Sequence, residues 1–90
     1  MDLTEALGLV AGILTTAAFV PQVAKTRRNG RADDFSLPML LMFVAGVALW
    51  LAYGLALGAP SIVVANGVTL VLAGYILRVK WLTRRVAPAR

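Results

Sequence analysis

Two side chains inside the uncharged stretches of this sequence are suited to holding a small molecule: Trp50 and Asn66. An indole presents a flat apolar face. A carboxamide presents two donors and an acceptor that are costly to leave unpaired in hydrocarbon. They flank a tight turn, "LGAPS" at residues 57–61, Trp50 seven residues before Leu57 and Asn66 six after Pro60. At about 1.5 Å per helical residue, both lie roughly 9–10 Å below that turn. Two copies of such a pair would suit a neutral polyol ring, whose C–H faces stack while its hydroxyls exchange hydrogen bonds with the amides. Each residue also has a purely structural use: Asn66 in an interhelical hydrogen bond, Trp50 in an interfacial aromatic belt, for which it lies deep. Tyr53, about one turn nearer the turn, either closes an entrance with its hydroxyl or joins such a belt.

The chemistry that is missing narrows the function further. The chain has no cysteine and no histidine, which removes disulfides, thiolate clusters and the usual transition-metal sites. Residues 6–24 and 35–77 contain no Asp, Glu, Lys or Arg. Ion-coupled pumps usually carry an ionisable group at membrane depth to hold and release the driving ion. No glycine-rich phosphate loop is present, and no nucleophile stands with a base. The sequence therefore reads as a non-enzyme without a cofactor, and any solute it moves is expected to move passively down its gradient.

The elements that must position these groups follow from length and charge. A 60% hydrophobic chain with 14% charged residues lies far outside the balance of a soluble domain. Residues 6–24 have the length of one membrane span. Residues 35–77 are too long for one and suit two spans of about 20 residues with a turn between them. Gly58 stops one helix there and Pro60 opens the next. The expected architecture is an all-α membrane protein, one unit over residues 1–90, with spans at about 5–24, 37–57 and 60–80. The acidic front, with Asp2 and Glu5, lacks the positive charge of a signal peptide, so the first span is read as retained.

Lys25, Arg27, Arg28 and Arg31 lie between the first two spans, and Arg78, Lys80, Arg84, Arg85 and Arg90 lie at or past the end of the third. These are all nine basic side chains. Three spans put both groups on one side, the cytoplasmic side by the positive-inside bias, with the N-terminus outside. Topology thus accounts for the net charge of +5 without nucleic acid, and membrane lipid headgroups are the expected neighbours. Three helices are too few to enclose an aqueous route. A second copy is needed, inserted the same way up and related by a two-fold axis along the membrane normal. Gly8 and Gly12, at GxxxG spacing, and Gly46, Gly54, Gly67 and Gly74 permit close helix approach.

Pro21-Gln22 interrupts the first span near its basic end. Proline has no N–H for the carbonyl of Ala17, so that carbonyl must find another donor or the helix must bend. A bend there would let the inner end of the span swing, with the Gln22 amide tying down nearby backbone when the mouth is shut. Simple helix termination near the interface is the alternative.

"LTTAAFVPQVAKTRRNGRADDFSLPMLLMFVAGVALWLAYG", followed by "PSIVVANGVTLVLAGYILRVKW", resembles the bacterial SemiSWEET sugar transporters, half-sized relatives of SWEETs within the PQ-loop group. The likeness runs from about Gly8 to Trp81. It rests on Thr-Thr before Pro-Gln, Leu-Trp-x-x-Tyr-Gly in the second span and Pro-x-x-x-x-Ala-Asn in the third. The resemblance implies a parallel homodimer of three-helix bundles in the bacterial inner membrane, with the sugar site on the two-fold axis. It implies that Trp50 and Asn66 hold the sugar and that Pro21 and Gln22 act as a hinge for alternating access. It places Tyr53 in the extracellular gate and Met39 and Phe43 in the intracellular gate. Some relatives carry charged residues in the outer turn, where this chain has Leu55, Leu57, Gly58 and Ala59. Outer closure would then rest on Tyr53 and apolar packing. A PQ-loop carrier of another solute, such as an amino acid, and a non-transporting membrane scaffold are the competing readings.

Overall fold

In the computed structural model, which describes residues 2–85, four helical segments form three rods. Arg90 of the basic C-terminal set lies outside the described residues. The segments are α1 (Leu3–Ala17), α2 (Phe19–Asn29), α3 (Leu37–Leu57) and α4 (Pro60–Leu82). The rods Leu3–Asn29, α3 and α4 are each long and apolar enough to cross a membrane.

Local chemistry explains each end. Asp2 caps α1, its carboxylate accepting from the Glu5 N–H at 2.8 Å, and Glu5 places negative charge in the first turn. Only Ala18 separates α1 from α2, and it keeps right-handed helical angles (φ −61°, ψ −25°), so the two segments run on as one rod. The break lies three residues before Pro21, next to the carbonyl that the missing proline N–H leaves unserved. Gly30 ends α2 at φ 69°, a left-handed cap that L side chains adopt only with strain. Ser36 caps α3, accepting from the Met39 N–H at 3.3 Å. Gly58 closes α3 at φ 70°, and the Ala59 N–H reaches back to the Gly54 carbonyl at 3.0 Å, the bond of a Schellman cap. Pro60 starts α4 two residues later, where its missing N–H costs nothing.

The last helix lies in the middle. α4 packs against α3 on one side and against α1 and α2 on the other, while α1 and α2 stay apart from α3 along the backbone. On α3 the buried stripe is Leu40, Val47 and Gly54, a seven-residue repeat that keeps one line of the helix against α4. Gly54 lets the backbones close: a Cβ there would sit 2.7 Å from Cγ2 of Ile62. Across the other seam, a Cβ on Gly12 would sit 2.5 Å from Cβ of Ala65. Next to that contact the Thr16 and Thr69 hydroxyls share a hydrogen bond at 2.7 Å, and Thr16 Oγ1 also donates to the Ala65 carbonyl at 3.3 Å. Small residues bring the rods together and a hydroxyl pair sets their register, as is usual where lipid removes the hydrophobic drive between helices.

The result is a thin plate, 48 × 22 × 14 Å. A helix with side chains is about 10–12 Å across, so the layer is little more than one helix deep. Burial is correspondingly sparse and lies toward the basic ends: Ala32, Leu40 and Ile76 form the core, with Phe19, Val23, Phe35 and Tyr75 packed around them.

Candidate functional site

The α3 residues singled out for sugar binding or gating fall on one face. Met39, Phe43, Trp50 and Tyr53, joined by Gly46, follow one another at steps of four, three, four and three, which traces a single line along a helix. That line runs beside the buried stripe and is left uncovered. Met39 is 44%, Trp50 56% and Tyr53 53% exposed, whereas Phe43 is half-buried. Trp50 and Tyr53 meet edge to face with ring centroids 5.4 Å apart, an arrangement the aromatic quadrupole favours. Gly46 keeps space open beside the indole: a Cβ there would touch nothing within 4 Å. Two shallow hollows share Gly46 and Trp50. One, of about 360 Å³, is completed by Leu49 and Tyr53; the other, of about 290 Å³, by Met42, Phe43 and Val47.

Asn66 lies outside both hollows, half-buried on α4. Its Nδ2 donates to the Ile62 carbonyl one turn back in its own helix, at 2.9 Å. Among the described residues no donor reaches its Oδ1, and that oxygen is not sealed from its surroundings. Within one copy, therefore, the amide makes no interhelical bond. The Thr16–Thr69 pair makes one instead.

At the basic end, Phe43 is met by Phe19 of α2, with centroids 5.2 Å apart and rings tilted by 32°. This is the point where side chains bridge the gap between α2 and α3, whose backbones stay apart. Phe19 was not among the residues picked from sequence. Depth would have found it, because Phe19 and Phe43 lie at similar distances from the basic loop joining their spans. Met39 stands a turn closer to that loop.

Pro21 is exposed and Gln22 half-buried, and among the described residues the Gln22 carboxamide makes no hydrogen bond. Just beyond them, Lys25 Nζ meets Asp34 Oδ2 at 2.5 Å, and Arg31 Nε lies 3.0 Å from each Asp33 carboxylate oxygen. The exposed first pair contributes little to stability but ties α2 to the loop that enters α3. These charges line a separate polar hollow of about 180 Å³, away from the Trp50 face.

Three apolar rods, with an aromatic line on one open face and a half-satisfied amide on α4, define a small multi-pass membrane protein. The PQ loop repeat family matches residues 3–63. A Bradyrhizobium diazoefficiens protein named Sugar transporter SemiSWEET is 44% identical over 78 residues, covering 87% of this chain and 91% of its own. An Escherichia coli protein of the same name is 40% identical over 85 residues, covering 94% and 96%. A solved structure of SemiSWEET in the inward-open conformation superposes with a TM-score of 0.84 at 40% identity, over 94% of this chain and 91% of that one. The crystal structure of a bacterial homologue of SWEET transporters gives 0.79 at 33% identity, over 90% and 98%. The chain belongs to the PQ-loop family, in its SemiSWEET branch. As a member of that family it is not an enzyme.

Proposed function

We propose that the protein carries a neutral sugar, a mono- or disaccharide, across the bacterial inner membrane by uncoupled alternating access through a parallel homodimer. The observation that carries this reading is the uncovered α3 line of Met39, Phe43, Gly46, Trp50 and Tyr53 on a plate 14 Å deep. One copy cannot surround a solute. Two copies facing each other across this line enclose the hollows beside Trp50 between them. Curated relatives at 44% and 40% identity that are named sugar transporters support the choice of solute.

In this assembly the two indoles stack on the sugar ring and the two Asn66 amides bond its hydroxyls. Tyr53 closes the outer mouth. Phe43, met by Phe19 and flanked by Met39, closes the inner one. Pro21 and Gln22 form the hinge that lets α2 move while α1 stays against α4. Residues 6–24 and 35–77 offer no ionisable carboxylate or ammonium to hold a driving ion or a charged substrate, which favours uncoupled passage of a neutral solute. The basic loop and the basic end of α4 face the cytoplasm, and the N-terminus lies outside.

The test is reconstitution. Labelled glucose or sucrose should equilibrate into protein-containing vesicles, and not into empty ones, with no ion gradient imposed. A strict need for a proton or sodium gradient, or no sugar uptake across a panel of mono- and disaccharides, would overturn the reading.

Pro21→Ala tests the hinge separately. Alanine restores an N–H for the Ala17 carbonyl and closes the gap in the helical ladder. If that bond favours one state by about 1 kcal/mol or a little more, the other state is depleted by roughly tenfold. The expected result is sugar exchange slowed by about that factor, with no loss of thermal stability in the purified protein.

A further inference from the structure

The face of the plate away from Trp50 holds a second site. A groove of about 280 Å³ runs between α3 and α4 near their basic ends, lined by Leu41, Gly74, Leu77, Arg78 and Trp81. At 3.6 residues per turn, Leu41 points nearly half a turn away from Met39, Phe43 and Trp50, so the groove opens on the back of the plate. Its walls are the side chains of Leu41 and Leu77. Its floor is Gly74, where a Cβ would meet nothing within 4 Å and where the groove keeps its depth.

The basic end of the groove is chemically distinct. Arg78 is exposed there, and Trp81, 47% exposed, stands beside it. The Arg84 guanidinium lies 3.8 Å from the Trp81 ring centroid, and its Nη1 donates to the Trp81 carbonyl at 2.6 Å. The indole and this guanidinium are therefore already arranged against each other. Among the described residues, Arg78 and Arg84 have no carboxylate partner: Asp33 and Asp34 pair with Arg31 and Lys25, and Asp2 and Glu5 belong to the opposite end of the first rod. A positive-inside bias accounts for basic residues at this level. It does not account for an apolar channel that ends on the Arg78 guanidinium and an amphipathic ring, with the Arg84 guanidinium held against that ring.

We propose that this groove binds one anionic phospholipid, with an acyl chain along Leu41, Gly74 and Leu77 and the phosphate between Arg78 and Arg84. Trp81 then sits at the glycerol level, where amphipathic aromatic rings are favoured. Charge complementarity selects the headgroup. A zwitterionic lipid fills the same apolar groove, but its own ammonium offsets the attraction of the two guanidinium groups.

The experiment uses the full chain carrying Trp50→Phe, which leaves Trp81 as the single indole. The protein is reconstituted in phosphatidylcholine vesicles containing a minor fraction of lipid brominated on its acyl chains, either phosphatidylglycerol or phosphatidylcholine. Bromine quenches only the tryptophan it touches. The brominated phosphatidylglycerol should quench Trp81 with an apparent affinity about fivefold or more above that of its phosphatidylcholine counterpart. Arg78→Gln, at an exposed position, should lower that ratio severalfold, leaving only the contribution of Arg84. Equal quenching by the two lipids, or a preference that survives Arg78→Gln unchanged, overturns the proposal. Either outcome is independent of whether the protein carries sugar.

Discussion

Trp50→Ala is expected to remove saturable sugar uptake at any practical substrate concentration, raising the half-saturating concentration by roughly 30-fold or more. Truncating an aromatic anchor that becomes desolvated in a complex typically costs about 2 kcal/mol or more, which is a factor of about 30. In a dimer the loss occurs twice around one solute. The indole shares both hollows with Gly46, and the Tyr53 ring rests edge-on against it, so alanine also leaves the outer tyrosine without its neighbour. Trp50→Phe separates two contributions. It keeps a flat face and loses the indole N–H, so partial uptake shows that stacking dominates. Uptake by Trp50→Ala with the parent's rate and half-saturation, from protein shown to be monodisperse, would mean that the solute binds elsewhere.

The second large effect concerns the seam between α1 and α4. Gly12→Ala should lower the stability of the purified protein by about 1–3 kcal/mol, the usual cost of overpacking a tight contact. The new methyl would lie 2.5 Å from Cβ of Ala65, an atom fixed to the backbone, so the helices themselves must separate. One turn further along, separation also strains the Thr16–Thr69 hydrogen bond at 2.7 Å and the weaker bond from Thr16 to the Ala65 carbonyl. Each such bond contributes on the order of 0.6 kcal/mol in a membrane protein. Gly67→Ala serves as the control, since a Cβ at Gly67 meets nothing within 4 Å and alanine is the better helix former. Ala65→Gly combined with Gly12→Ala should restore most of the lost stability, because the clash involves only those two methyl groups. A thermal-melt series on the parent, Gly12→Ala, Ala65→Gly and the double variant measures the coupling, and strict additivity would show that the two residues do not meet.

How far this arrangement is legible in the sequence differs from element to element. The helical class and the three rods follow from long uncharged runs, and Gly58 with Pro60 marks a turn that the backbone makes with a left-handed cap. Pro21, whose missing N–H leaves the Ala17 carbonyl unserved, likewise points to the interruption that separates α1 from α2. The order of the rods is another matter. α3 and α4 are apolar on nearly every side, as lipid permits, so hydrophobic periodicity carries no trace of which face meets a neighbour. That α4 takes the middle place is written in Gly12 against Ala65, Gly54 against Ile62 and Thr16 against Thr69. None of those pairs can be matched without the folded backbone. Among the candidate site residues, the alignment of Met39, Phe43, Trp50 and Tyr53 is readable from their spacing alone. Phe19 escapes that reading because it belongs to a different helix. The destination of the Asn66 amide escapes it too, since an interhelical bond and a bond to its own turn leave the same mark in sequence.

The orientation of that amide sets a chemical filter. A backbone carbonyl can only accept, so the group facing Ile62 O must be the Nδ2 donor, and the oxygen is turned outward. In the proposed cavity each Asn66 therefore presents its carbonyl oxygen and one remaining N–H. With one donor spent on its own helix, the oxygen's share of the recognition falls on hydrogens that the guest gives away. An O-methylated sugar keeps the ring and every oxygen of its parent, yet it has given up the hydrogens that this carboxamide oxygen would accept.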